Sequence, residues 1–366
     1  MDFGLFNLMQ HRDQSKSSRE VVRDAIDQTI AAEELGFGRV WFAEHHFSNY
    51  SLCPAPLMMC GYAAGVTKNI RLGTAVVVPP LYKPARLLGE IALADTLCDG
   101  RLDLGVGSGY QAYEFDRFQA DLEHNKELMY EMLDMIELGL GQPHFTYDGE
   151  HYQMPQTAIN VRPVQQPYPP IWLATNDPVS VRRAARKGYT PFFSTRFCSL
   201  EEIKPLRDNV DKCFREEGVD PTNMPVGMLS FGFVSENKKE VERYMDNARF
   251  QRRISFSLRS RRETVVDDYW VEEKPFDNEQ SLEDVADQIL CGDVESVTER
   301  LVTLLREVRP SHITFYFQVG DLSGKEAIAN MERWAKDVIP GIEMEFGMPL
   351  SEINKPQPAT ATEAAE

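Results

Sequence analysis

Hydrophobic residues in this chain fall in short continuous runs, separated by longer stretches in which they recur every three or four positions. Residues 3–8 are the first run, read as a buried strand. Residues 17–35 carry Val21, Val22, Ala25, Ile26, Ile30, Ala31 and Leu35 at helical spacing, and Gly36 ends the pattern. The same pair repeats. A strand over residues 39–44 precedes a helix over 54–66, and a strand over 70–78 precedes a helix opened by Pro84 and running through Leu97. Asp99-Gly100 then turns into a fourth strand from Arg101, and residues 122–138 form a helix with Leu128, Met129, Met132, Leu133 and Ile136 on one face.

The alternation then breaks at Asp148-Gly149, set between aromatic-rich runs, which predicts a hairpin excursion at about 144–165. Strands five, six and seven are expected at 169–175, 189–194 and 225–234. A helix at 179–186 lies between the first two, and Ser199-Leu200-Glu201-Glu202 is a capping box that opens the next helix. A helix at 293–308, a strand at 311–317 and a helix at 324–338 complete eight units. The expected fold is α/β, an eight-stranded (β/α)8 TIM-type barrel with insertions, one domain over residues 1–342. Residues 237–290 are the outlier. One helical stretch (239–250) is followed by a basic run with Arg252, Arg253, Arg259, Arg261 and Arg262, then an acidic, aromatic run ending at Tyr269-Trp270. This length and charge pattern predicts a mobile lid. The tail, residues 343–366, is expected to be disordered.

Composition narrows the class of partner. The chain has 366 residues, of which 42% are hydrophobic, enough for a large core. Its 57 acidic against 39 basic residues give a formal net charge of −18, which disfavours nucleic acid and anionic membranes as partners. Six scattered cysteines show no C-x-x-C pair or zinc spacing, as expected of reduced thiols in a cytoplasm. The start of the chain lacks a basic, then apolar, leader pattern, and no uncharged apolar stretch approaches membrane-spanning length.

In a parallel barrel the active site lies where strands end, so the strand-end residues carry the chemistry. Glu44-His45-His46-Phe47 closes the second strand. Successive strand residues point to opposite sides, so only one of the two histidines faces the lumen; this argues against a two-histidine metal site and makes the other structural. Gly105-Val106-Gly107-Ser108-Gly109 is a poor match to a dinucleotide fingerprint, because its last glycine would fall at Tyr110. It reads better as a loop where backbone approaches a ligand closely, with Tyr110, Glu114 and Phe115 as an aromatic and polar wall, or as a tight barrel turn. Asn176-Asp177-Pro178-Val179-Ser180 opens a helix at the rim, a place suited to an anion such as phosphate, although every helix has such a start. Phe6, Phe192 and Phe193 suggest an apolar pocket or plain barrel core.

Several segments, in order, carry a wider likeness: Phe3-Gly4-Leu5-Phe6; Gly36-Phe37 through Trp41 to Phe47; Thr67 to Ala75; Leu93-Ala94-Asp95; and Gly100 to Tyr110 followed by Glu114-Phe115 and Phe118. Together they resemble the bacterial luciferase-like flavin monooxygenase family over about residues 1–342, much of 237–290 excepted. The resemblance implies a barrel binding FMN at its strand C-terminal rim and using reduced FMN as co-substrate. Oxygen adds to the flavin as a peroxide, and one oxygen atom passes to a small organic substrate. It implies His45 as catalytic acid–base group, with Glu44 as its orienter. The cofactor-binding residues implied are Ala75 and Val76, whose peptide supports the flavin ring and is often cis in the family, then Gly107, Ser108, Tyr110, Asn176, Asp177, Val179 and Ser180. It also implies a separate flavin reductase as partner, and a homodimer or a heterodimer with a related subunit.

This chain departs from the family pattern in four places. Gly107 replaces a reactive cysteine, Ser108 a phosphate-binding arginine, and Thr195 a pocket tryptophan, while a carboxylate, Asp177, stands near the phosphate position. The first expectation is therefore a monooxygenase that holds FMN weakly. Its rivals are a deazaflavin-dependent reductase or dehydrogenase of the same barrel family and a non-catalytic flavin-binding subunit. His45 is present, which favours catalysis.

Overall fold

The computed structural model describes residues 1–267 and 269–357. Its strands are β1 (Asp2–Asn7), β2 (Arg39–Phe42), β3 (Arg71–Thr74), β4 (Leu102–Val106), β5 (Phe145–Asp148), β6 (Gln153–Thr157), β7 (Ile171–Ala174), β8 (Thr190–Ser194), β9 (Gly227–Val234), β10 (Val265–Val266), β11 (Trp270–Val271), β12 (Leu290–Gly292) and β13 (His312–Tyr316). Its helices are α1 (Ser18–Glu34), α2 (Pro56–Ala64), α3 (Pro84–Leu97), α4 (Ala112–Phe118), α5 (Asn125–Gly141), α6 (Pro178–Lys187), α7 (Leu200–Glu216), α8 (Lys238–Arg259), α9 (Leu282–Gln288), α10 (Val294–Glu307), α11 (Gly324–Arg333) and α12 (Ile339–Phe346).

Eight parallel strands close on themselves in the order β1-β2-β3-β4-β7-β8-β9-β13 and back to β1, as a (β/α)8 barrel. The register is carried by pairs such as Phe6 with Trp41, Phe42 with Thr74, Leu104 with Ile171 and Phe193 with Met228. Local sequence sets the helix starts. Ser17 with Glu20, Ser199 with Glu202 and Ser323 with Glu326 each form a reciprocal cap that satisfies N–H groups which would otherwise lack partners. The hairpin expected at about 144–165 is the antiparallel pair β5–β6, outside the barrel. The short helix α4 was not foreseen, because seven residues are too few to show a helical period.

Side chains fill the lower half of the barrel. Trp41 stacks on Phe192 at 5.2 Å and meets Trp172 edge-on at 5.0 Å. The Trp41 indole donates to His312 Nε2 (2.9 Å), and His312 Nδ1 lies 2.5 Å from Asp2 Oδ1. Below them, Arg39 and Arg71 bind Asp103 at 3.0 and 2.6 Å, and Arg39 also pairs with Asp2. These charges close the bottom and leave the upper, strand C-terminal half free for a cavity.

Two expectations are corrected. The helix expected at 239–250 extends over 22 residues as α8, and 237–290 as a whole is built from α8, the β10–β11 hairpin, α9 and β12, the last of which adds to β9 outside the barrel. Trp270 and Val271 are buried, and the Asn49 side chain bonds both the N–H and the carbonyl of Val271. The tail, expected to be disordered from residue 343, is ordered through residue 357. Ile353 is buried, the Met1 amino group donates to the carbonyls of Leu350, Ser351 and Ile353, and Asn354 donates to the Leu305 carbonyl. Residues 358–366 lie outside the described residues.

Candidate active site

The cavity at the strand C-terminal rim measures about 260 Å³. Of the expected site residues, Glu44, His45, Ala75, Val76, Gly107, Ser108 and Tyr110 line it, together with Phe6, Phe192 and Phe193. Asn176, Asp177, Val179 and Ser180 do not; on that side the lining stops at Ala174.

Strand β2 ends at Phe42, earlier than expected, yet the two histidines still diverge. His45 lines the cavity, while His46 turns toward α2 and α3. Glu44 was expected to orient His45 and does not. One of its oxygens lies 3.0 Å from His46 Nε2, and the other accepts from the Val78 N–H (3.1 Å) and the Tyr82 hydroxyl (3.0 Å). The alternation that separates the histidines also puts Glu44, two residues before His46, on the same side as His46. Burial raises the Glu44 pKa despite those bonds.

Glu114 on α4 takes the orienting position instead. Its Oε1 lies 3.0 Å from His45 Nδ1 and also accepts from the His46 N–H at 2.7 Å. His45 Nε2 has no protein partner among the described residues and is left for the cavity. Burial alone would lower the His45 pKa, but the Glu114 carboxylate and Tyr110 together outweigh it and the net shift is upward. Sequence reading placed Glu114 in the wall but could not pair it with a histidine 69 positions away.

Four further groups complete the site without a motif to announce them. The Tyr50 and Tyr110 hydroxyls are 3.4 Å apart, and Gln251 of α8 donates to Tyr50 at 2.7 Å. Arg196, two residues past β8, donates from Nη1 to the Tyr316 hydroxyl at 3.0 Å. Burial acts to raise both Tyr50 and Tyr110. In Tyr50 burial prevails, whereas in Tyr110 the positive charges of His45 and Arg196 prevail and bring the hydroxyl to about 8. The one available signal for Arg196 was its place just beyond a strand end.

Close-packed apolar residues lie beside these groups. The Ala75–Val76 peptide is cis, and Val77 keeps a single bridge to Val106. A Cβ on Gly107 would come within 2.8 Å of Val76 Cγ2 and 3.5 Å of Ala174 Cβ, so glycine lets these side chains close up against the backbone. The α6 start fits a phosphate poorly. Asp177 Oδ1 accepts from the Val179 N–H (3.0 Å) and the Ser180 N–H (3.3 Å), its other oxygen holds the Ser180 hydroxyl, and Lys126 pairs with it at 3.3 Å. Burial acts to raise the Asp177 pKa, but the Ser180 hydrogen bonds and the Lys126 charge outweigh it and hold the carboxyl below its usual range. The helix N–H groups that an anion would use are already taken by a carboxylate of the chain itself.

The family model described as "Luciferase-like monooxygenase" matches residues 1–312. The chain belongs to that family. It is accordingly an enzyme of the flavin-dependent monooxygenase and oxidoreductase kind. The uncharacterized protein y4vJ of Sinorhizobium fredii is 40% identical over 347 residues, covering 95% of this chain and 99% of its own. The oxygenase component of flavin-dependent trigonelline monooxygenase from Acinetobacter baylyi is 28% identical over 244 residues, covering 66% of this chain and 67% of its own. The crystal structure of monooxygenase RslO1 from Streptomyces bottropensis superposes with a TM-score of 0.81 at 22% identity, covering 93% of this chain and 99% of that one, a likeness of fold. The fold is shared by the oxygenating constituent of 3,6-diketocamphane monooxygenase from Pseudomonas putida in complex with FMN, with a TM-score of 0.75 at 20% identity, and by an F420-dependent secondary alcohol dehydrogenase in complex with an F420-acetone adduct, with a TM-score of 0.72 at 18% identity.

Proposed function

We propose that this protein is the oxygenase component of a two-component system, taking reduced FMN from a separate reductase and oxygenating a small organic substrate in the cytoplasm. The observation that carries this reading is the His45–Glu114 pair, facing a cavity walled by aromatic side chains beside the close-packed Gly107, Val76 and Ala174. Reduced flavin, when bound, supplies the two electrons with which one atom of O2 enters the substrate and the other leaves as water. Ala75, Val76 and Gly107 would hold the ring, with Ser108 and Tyr110 at its edge. The α6 start, residues 176–180, would face the phosphate with Lys126 as the nearby cation. Because Asp177 already occupies that start, FMN is a dissociable substrate and not a fixed group.

His45 gives or takes the proton at Nε2, and Glu114 fixes the ring by its Nδ1. The aromatic walls keep bulk water from the reacting atoms. Residues 237–290 serve as the lid. Gln251 and Ser255 of α8 reach Tyr50 and Tyr110, and Arg261 binds Asp116 of α4 at 2.8 Å, so opening requires these contacts to part. Met58 and Tyr62 of α2 and Leu93 and Leu97 of α3 form an exposed apolar face, rimmed by the opposite charges of Arg86 and Glu90. A second copy related by a twofold axis would cover this face, each arginine meeting the other copy's glutamate.

The test is to mix purified protein with chemically reduced FMN and oxygen and follow flavin reoxidation. Reoxidation should be slowed relative to free FMN. Identical reoxidation with and without protein would refute the reading.

A further inference from the structure

Among the described residues, Arg196 is the only lysine or arginine on the cavity wall. Several part-buried arginines of this acidic chain have carboxylate partners, as Arg12 has Asp246 and Arg183 has Asp134, while Arg101 and Arg162 bond backbone carbonyls and Arg252 lies over Phe197, all three away from the cavity wall. Arg196 has no carboxylate partner among the described residues. Its Nε donates to the Ser194 hydroxyl at 2.8 Å, its Nη1 donates to the Tyr316 hydroxyl, and its guanidinium lies 5.7 Å from the centre of the Tyr316 ring. The Tyr50 hydroxyl is a further neutral neighbour, and Arg196 lines the cavity beside it. A part-buried cation held only by neutral hydroxyls beside an aromatic wall has no counter-charge of its own and favours an anion. Its field reaches His45, Tyr50, Tyr110 and Tyr316 alike, which places it facing the groups that surround the cavity.

We infer that Arg196 receives an anionic group of the substrate, and that the substrate is a small carboxylate whose apolar ring lies among Phe6, Phe192 and Tyr50. The inference rests on the oxygenase reading and names the substrate class of that same site. A guanidinium offers paired N–H donors in a plane, the geometry that suits a carboxylate. The phosphate of a flavin is the competing anion. Its expected place, the α6 start beside Lys126, lies outside the residues that line this cavity and is already occupied by Asp177, so the titrations with and without FMN separate the two anions; Arg196 itself reaches from the end of β8 over β9 to β13. His45 lines the same cavity from the end of β2, so a ring anchored at Arg196 lies between the anchor and the proton-carrying group.

Benzoate and the neutral benzamide serve as probes in calorimetric titrations of the whole protein, with and without excess oxidised FMN. The wild type should bind benzoate on the order of tenfold or more tightly than benzamide. Arg196→Gln should abolish that preference, a loss of about 10- to 100-fold for benzoate, with benzamide unchanged. Arg196→Lys keeps the charge and loses the paired donors, and should cost benzoate part of that factor; it provides the same readout if the glutamine variant does not fold. Absence of preference in the wild type under both conditions overturns the inference, as does a preference that survives Arg196→Gln. So does a glutamine variant that loses its effect on FMN reoxidation while keeping its benzoate affinity, because the arginine would then serve the cofactor. Benzoate preference in a protein that leaves FMN reoxidation unaltered supports the anion site and refutes the oxygenase reading, so the two failures are distinguishable.

Discussion

Replacing Glu114 with glutamine isolates the charge that governs His45. The amide is close in shape and can still accept from the His46 N–H, so what is lost is the negative charge beside His45 Nδ1, at 3.0 Å in a site where Glu114 is almost wholly buried. Hydrogen bonds to charged groups contribute about 1.5–3 kcal/mol and neutral ones about 0.5–1.5 kcal/mol, so the exchange should cost about 1–2 kcal/mol. For a chain of 366 residues, at about 2.1 cal/mol/K of unfolding entropy per residue, that corresponds to a fall in Tm of about 1–3 °C. The loss depends on pH. Because the folded-state pKa of His45 is raised, its contribution is fully present below the unfolded value of about 6.5 and disappears as pH rises through the folded value. The gap in Tm between wild type and Glu114→Gln should therefore be widest near about pH 6 and shrink toward about pH 9, where only the difference at the His46 N–H remains. Thermal melts across this range, with NMR titration of the His45 ring, supply the assay. In the variant, burial and the Arg196 charge both act unopposed by Glu114, so His45 must titrate at lower pH than in wild type. A pH-independent gap, or a His45 titration that does not move, would refute the account of this pair.

His45→Ala should reduce substrate oxygenation by about 10²–10⁴-fold at saturating reduced FMN, and near wild-type turnover would remove its acid–base role. Asp177→Gly frees the α6 N–H groups at a cap cost of only about a few tenths of a kcal/mol; reduced FMN should then bind several-fold more tightly, with riboflavin, which lacks the phosphate, unchanged. Burial holds the His312 pKa low against the pull of Asp2, so the folded state binds fewer protons there than the unfolded one. Stability should fall as pH drops below about 6.5, and in His312→Asn that part of the slope of Tm against pH should be missing. Leu97→Glu on the exposed face of α3 should convert dimer to monomer in sedimentation, and an unchanged mass would place the subunit contact elsewhere.

The barrel was legible in the chain because its information is local. A run such as residues 70–78 is apolar over a strand's length, and Ser17 with Glu20 or Ser199 with Glu202 marks a helix start within four residues. The strand-end position of His45 and the need for Gly107 also followed from short-range pattern, as did the opposite facing of His45 and His46. What the chain could not disclose were relations between distant segments. The order β2-β3-β4 carries α4 back to the end of β2, and only that closure brings Glu114 to His45 and leaves Glu44 to His46. Arg196 acquires meaning from Tyr316, 120 residues away, and from the lack of any carboxylate beside it among the described residues. The segment 237–290 and the tail have weak periodicity of their own. They are held instead by Asn49 on Val271, Arg12 on Glu273 and the Met1 amino group on residues 350–353, contacts that exist only once distant segments have come together. Periodicity records which face of an element is buried; hydrogen bonds between side chains far apart in sequence leave no period, so the tertiary structure alone decided the partners in the active site.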